Sequence, residues 1–163
     1  RLNELESDFA TGRVDIAGLD QLLEQMAGRP LPPLEADSFR GMVNGIIDLV
    51  FEHQGRYYIA DYKSNRLGGT LDAYQPEALR AAMYQYRYDL QCLLYALALH
   101  RYLRQRIPDY RYQTHFGGVF YLFLRGMRPE TGYERGVHAI CPDLTLIDTL
   151  DQHIFRHDLG AAQ

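Results

Sequence analysis

Two aspartates and one lysine carry the chemistry that this sequence offers. Asp48 closes the run Gly45-Ile46-Ile47-Asp48, and Asp61-Tyr62-Lys63 follows thirteen residues later. Each aspartate interrupts an apolar, β-branched stretch, where a carboxylate is disfavoured by strand propensity and costly to bury without a partner. Two such residues on neighbouring strands call for a shared partner, and a divalent cation fits. Carboxylate oxygens suit Mg²⁺ or Mn²⁺, which keep several waters and take one or two acids. Such a cation acidifies a bound water and draws charge from a phosphate oxygen. Side chains alternate along a strand, so Asp61 and Lys63 share a face, roughly 6.6 Å apart at strand rise. Lys63 is the only lysine among seventeen Lys and Arg residues. Its compact ammonium suits a water or phosphate oxygen better than a guanidinium does, and it can steady charge that develops on phosphorus. Phosphodiester hydrolysis uses all three groups. The plainer readings are an Asp61–Lys63 ion pair of little worth if exposed and an Asp48 that caps a bend. A two-carboxylate glycosidase would leave Lys63 without a task.

The elements that position these residues follow from periodicity. Val43 to Phe51 reads as a strand, His53-Gln54-Gly55-Arg56 as a hairpin turn and Tyr57 to Tyr62 as the returning strand. Leu2 to Phe9 alternates as a strand would, and Ile16 to Met26 has helical spacing. Pro30-Leu31-Pro32-Pro33 is a linker, and residues 65 to 74, with Gly68-Gly69, form a loop. Pro76 starts a helical stretch that runs to about Arg106, with a break near Tyr84 to Tyr88. Its second half carries an apolar stripe of Leu90, Leu93, Leu94, Leu97 and Ala98, with Gln91 and Tyr95 sharing a neighbouring face. His115 to Leu124 reads as a central strand and Val137 to Ile140 as another, and Asp143 caps a last helix through about Ile154. The order implies an α/β core, a central mixed sheet flanked by helices.

At 163 residues the chain is one domain's worth. It opens on Arg1 rather than Met; the expectation is a single domain, residues 1–163, excerpted from a longer protein. No apolar run approaches the roughly 20 residues of a membrane span, no signal-peptide pattern opens the chain, and a cytoplasmic setting is expected. Cys92 and Cys141 form no CxxC pair, and the six histidines show no metal-cluster spacing. A net charge of −4 argues against a broad nucleic-acid-binding surface. Arg80, Arg87, Arg101, Arg104, Arg106 and Arg111 nevertheless crowd one third of the chain, either as a solvated helix face or as a DNA contact.

At Asp48 and Asp61-Tyr62-Lys63 the sequence resembles the PD-(D/E)XK nuclease superfamily, although Ile47 stands where the proline of the motif would be. Longer strings, Gly45 to Asn65, Tyr86 to Leu103 and His115 to Gly126, resemble the nuclease domains of bacterial helicase–nuclease complexes of the exonuclease V type. The likeness covers roughly residues 40 to 150. It implies a restriction-endonuclease-like fold and Mg²⁺-dependent DNA cleavage, with Mn²⁺ as a substitute and Ca²⁺ as a cation that binds without supporting cleavage. It further implies metal ligation by Asp48, Asp61 and the main-chain carbonyl of Tyr62, and an upstream acid, Glu6 with Asp8 next. Gln91 and Tyr95 match a Gln-x-x-x-Tyr element near the DNA, and Arg87 is grouped with them. The implied partners are single-stranded DNA delivered by a helicase, the helicase region and the sister subunits of such a complex. An upstream histidine ligand is implied too, but no histidine precedes His53, and no Gly-x-x-x-x-Gly-Lys-Ser/Thr motor element or four-cysteine cluster pattern occurs. The competing reading is a nuclease-like module that docks on DNA or partner subunits without cutting.

Overall fold

The computed structural model describes residues 16–43 and 45–155. A helix α1 (Ile16–Ala27) and a short helix α2 (Ala36–Val43) lead into the hairpin of β1 (Leu49–His53) and β2 (Arg56–Lys63). Leu71–Tyr74 forms a 3₁₀ turn, followed by α3 (Pro76–Gln85) and α4 (Tyr88–Arg106). A single turn of helix, α5 (Tyr112–His115), feeds β3 (Phe116–Phe123), and β4 (Val137–Ile140) and α6 (Leu144–Phe155) complete the described chain. The four strands form one mixed sheet in the order β1-β2-β3-β4. The β2/β3 pair is parallel and the outer pairs are antiparallel. This is the α/β architecture expected of a restriction-endonuclease-like core.

The hairpin turn is two residues long, with Gln54 at φ 52° and Gly55 at φ 76°. Positive φ at both positions matches the twist of the flanking strands, and Glu52 Oε1 accepts the Gly55 N–H at 2.6 Å. Parallel strands need a long crossover, and here α3, α4 and α5 supply it. Gly117, where that crossover enters the sheet, lies so close to the Tyr58 ring that a Cβ there would collide with it.

Helix α4 is buried on nearly every side, from Leu90 through His100 and again at Leu103. Leucines of α1 (Leu19, Leu23), Ile147 and Leu150 of α6 and aromatic residues of β3 join it in one core. An apolar stripe alone would have buried one face; the helix lies between the sheet and other helices and buries the rest as well. The expected break in the helical stretch falls at Tyr86-Arg87. Pro76 occupies the first turn of α3, and Asp143 Oδ1 accepts the Thr145 N–H at 2.8 Å, capping α6.

Three expectations change. The first strand begins at Leu49 rather than Val43, and helix α2 occupies residues 36–43. The apolar run before Asp48 is drawn to α4 instead of a ladder: Ile46 O accepts the Tyr95 hydroxyl at 3.1 Å, and Gly45 packs against that hydroxyl. The loop over residues 65–74 contains the 3₁₀ turn, and α5 precedes β3. Arg87 is not a surface residue. It is 5% exposed, and its Nη1 donates to Asp20 Oδ1 at 2.7 Å and to Pro32 O at 2.6 Å, with Nε 3.4 Å from Asp89. It therefore braces α1 and the proline-rich segment against the start of α4 and is not placed to meet DNA. The strand expected at Leu2–Phe9 lies outside the described residues.

Two predictions follow from this packing. Arg87→Ala strands Asp20, Asp89 and the Pro32 carbonyl, and lowers stability by about 2–4 kcal/mol; the urea midpoint measures it. His100 is buried on α4 with Nδ1 3.0 Å from the Tyr110 hydroxyl. Burial lowers its pKa from 6.5, Arg104 and Arg101 add to that, and Asp148 and Asp151 oppose it. A depressed pKa stabilises the fold above the unfolded value, and that stability is lost as pH falls through the folded value. Urea midpoints taken downward from pH 7 therefore drop, and drop less steeply in His100→Gln.

Candidate active site

Strand alternation places Ile59, Asp61 and Lys63 on the face of β2 that meets α4, with Tyr62 on the other face. Asp61 is 3% exposed, and Lys63 Nζ lies 2.6 Å from its Oδ2. The ladder pairs Leu49 with Ala60; Asp48, one residue before it, sits in a bend opposite Asp61. Its Oδ2 accepts the Tyr62 N–H at 2.9 Å, so a side chain makes the contact just before β1 begins. The bend that was a plain alternative for Asp48 is present, and it also aims this carboxylate back at the Asp61 strand.

A layer of polar side chains from α4 and β3 surrounds the lysine. Nζ donates to Gln91 Oε1 at 2.9 Å and stands 3.9 Å from the centre of the Tyr88 ring. The Tyr121 hydroxyl donates to the same Gln91 oxygen and to Tyr88 O, each at 3.3 Å. Gln91 Nε2 donates to the Tyr95 hydroxyl at 3.2 Å, and that hydroxyl holds Ile46 O, two residues before Asp48. One chain of contacts thus runs from Lys63 through Gln91 and Tyr95 to the segment that delivers the other aspartate. Gln91 and Tyr95 thus lie within this cluster of contacts around Lys63. Tyr95 is buried beneath it, so its contacts are with the protein rather than with a strand on the surface.

Electrostatics at Asp61 are opposed. Burial pushes its carboxyl up from the ordinary aspartate value, Lys63 pulls it down, and the nearby Asp48 raises it again. The net rise means that the charge of Asp61 is incompletely compensated by Lys63. Its buried Oδ2 faces the Lys63 ammonium and accepts no other hydrogen bond from the described residues. Two adjacent carboxylates with a single ammonium beside them keep a net negative charge and fit a hard cation. Among the described residues no three His, Cys, Asp or Glu side chains gather as a metal cluster. The acids here are Asp48 and Asp61; Glu6 and Asp8, the candidates for a third, lie outside the described residues.

Periodicity alone overlooked Tyr88, Tyr121 and the Ile46 carbonyl. A signal existed for the first: Tyr88, Gln91 and Tyr95 are spaced three and four apart on an otherwise apolar helix, which puts them on one face. Tyr121 shares its register position with Asp61 across the parallel pair, but that pairing is not legible before the fold is known.

With this geometry in place, comparison with known proteins is informative. Residues 6–162 match the family model of the PD-(D/E)XK nuclease superfamily. The chain is 53% identical over 136 residues to RecBCD enzyme subunit RecB of Escherichia coli (strain K12), a match covering 82% of the chain and 11% of the relative. It is 48% identical over 137 residues to RecB of Haemophilus influenzae, covering 84% and 11%. Against RecB of Mycobacterium tuberculosis (strain H37Rv) the identity is 44% over 123 residues, covering 72% and 11%. The chain therefore spans about 11% of the length of these curated relatives. The chain belongs to the PD-(D/E)XK nuclease superfamily.

Proposed function

We propose that this chain is the nuclease domain of a RecB-like protein and hydrolyses phosphodiester bonds of DNA during double-strand-break processing and recombination. The observation that carries the reading is the buried Asp61–Lys63 pair, 2.6 Å apart, with Asp48 alongside. Asp48, Asp61 and the Tyr62 carbonyl are the groups that would hold Mg²⁺, with Glu6 as the candidate upstream acid. When bound, the cation supplies a more acidic water and withdraws charge from the phosphate.

The chain's own residues do the rest. Asp48 and Asp61 concentrate negative charge in one place, and the low-polarity surroundings of Asp61 strengthen any attraction to a cation. Gln91 and the Tyr88 ring hold the Lys63 ammonium beside Asp61. From there Lys63 orients a water toward phosphorus and steadies the charge that builds on the phosphate oxygens. Fixing the ammonium beforehand avoids reorganisation during the reaction.

The name of the relatives makes RecB a subunit of the RecBCD enzyme. By that likeness the partners of this chain are RecC, RecD and the RecB helicase region, the substrate is single-stranded DNA handed on by the helicase, and the setting is the bacterial cytoplasm. No helix among the described residues is long and apolar enough to cross a membrane. A docking module without cleavage is the second reading, favoured only by the pair of acids where a third would complete the cluster.

Asp61→Ala leaves the Lys63 ammonium without its carboxylate and lowers stability; at a temperature where circular dichroism shows the variant still folded, Mg²⁺-dependent cleavage falls by at least about a hundredfold. Lys63→Ala lowers cleavage by about 10²–10³-fold. Cleavage that persists in Asp61→Ala ends the nuclease reading. Calorimetry with Mn²⁺ separates the docking module: binding heat that disappears in Asp61→Ala supports the enzyme, and no heat in the unaltered chain supports the module.

A further inference from the structure

A cleft of about 370 Å³ opens beyond the C-terminal ends of the parallel strands β2 and β3, the end of such sheets where ligands commonly bind. Arg66, Arg125 and Arg128 line it, with the Gly68-Gly69-Thr70 loop and the buried Tyr74. Among the described residues no carboxylate lines it. Asp72, the acid beside it in sequence, lies 3.7 Å from Arg135. A Cβ at Gly69 would meet nothing within 4 Å, so the loop leaves open space there.

The arginines are partly fixed and partly free. Arg125 Nε donates to Ser64 O at 2.8 Å, and Arg128 Nη1 donates to Met127 O at 2.7 Å. The remaining terminal nitrogens of both bond no described residue. Guanidinium forks match phosphate oxygens in pairs, and three of them without a lining acid form an anion site. The polar lining offers little apolar wall for a base.

The cleft is joined to the active site through one short segment. Ser64, whose carbonyl Arg125 holds, directly follows Lys63, and Lys63 O accepts the Leu124 N–H at 3.0 Å. Asn65 continues the link: its Oδ1 accepts the Tyr88 hydroxyl at 3.1 Å and its carbonyl accepts the Tyr74 hydroxyl at 3.4 Å. Arg66 follows Lys63 by three residue steps, a reach of at most about 11 Å.

We infer that the Arg66–Arg125–Arg128 cleft binds the phosphodiester backbone of the DNA strand beside the phosphate that Lys63 faces, and so sets the path of the strand through the site. The identity of the strand rests on the nuclease reading; the charge and shape of the cleft do not. Backbone contacts of this kind position a strand without reading its sequence.

The test uses the full-length chain and a fluorescein-labelled oligo-dT of about twenty nucleotides. KM and kcat for its cleavage are measured across about 50–200 mM NaCl. Arg66→Ala and Arg128→Ala each raise KM several-fold, and each flattens the plot of log kcat/KM against log salt by about 0.7. Arg104→Ala, an exposed arginine of α4 far along the helix, does neither. Unchanged KM and slope in the Arg66→Ala/Arg128→Ala double variant overturn the inference. So does inhibition by inorganic phosphate that the double variant loses without any change in KM or slope, because the cleft would then hold free phosphate. Fluorescence anisotropy of the same oligonucleotide in EDTA keeps the two readings apart. Arginine-dependent binding in a chain that never cuts retains the cleft and discards the nuclease; cleavage with arginine-independent binding does the reverse.

Discussion

A buried carboxylate and a half-buried ammonium paired against a helix set the terms for the rest of this structure. Removing two charges from water costs several kcal/mol each, and their mutual attraction repays that only when the remaining donors and acceptors are satisfied. The lysine side meets that condition. Gln91 accepts from the ammonium, the Tyr88 ring stacks beneath it, and the Tyr121 hydroxyl completes Gln91. The carboxylate side rests on fewer contacts: among the described residues Asp61 Oδ2 faces the Lys63 ammonium alone, and burial and the nearby Asp48 raise its pKa. Two carboxylates beside one ammonium leave a net negative charge that suits a second cation.

Helix α4 makes this arrangement rigid. It is buried along most of its length, so the side chains it presents to β2 are fixed by packing on every other side. The parallel β2/β3 pair brings Tyr121 level with Asp61, and the Tyr95 hydroxyl reaches across to Ile46. The two halves of the acid pair are therefore referenced to the same helix, although one enters from strand β2 and the other from the bend before β1. The same strand ends present Ser64 and Asn65 to the arginine cleft, so one short stretch of backbone serves both concavities.

Much of this was legible in the sequence. The carboxylates stood out because they interrupt apolar runs, and alternation alone put Asp61 and Lys63 on one face. Pro76, Gly55 and Asp143 marked element boundaries through local chemistry. What stayed hidden depended on tertiary choice. The Val43–Phe51 run has strand propensity throughout, yet Tyr95 takes the Ile46 carbonyl and the ladder starts only at Leu49. Arg87 read as one more surface cation in a basic stretch, because its partners Asp20 and Pro32 lie 67 and 55 residues away. Tyr121 looked like one aromatic among several in β3, and only the parallel register gives it a place beneath the site. Local rules located the aspartates and the lysine; long-range contacts decided which neighbours support them.

The claim at the centre is that Asp48 and Asp61 share a hard cation beside Lys63. An anomalous difference map from crystals soaked in Mn²⁺ tests it most directly. The account predicts a Mn²⁺ peak in contact with carboxylate oxygens of both Asp48 and Asp61, with Lys63 still adjacent. A soaked crystal whose Mn²⁺ binds elsewhere, or leaves these two carboxylates unligated, contradicts it.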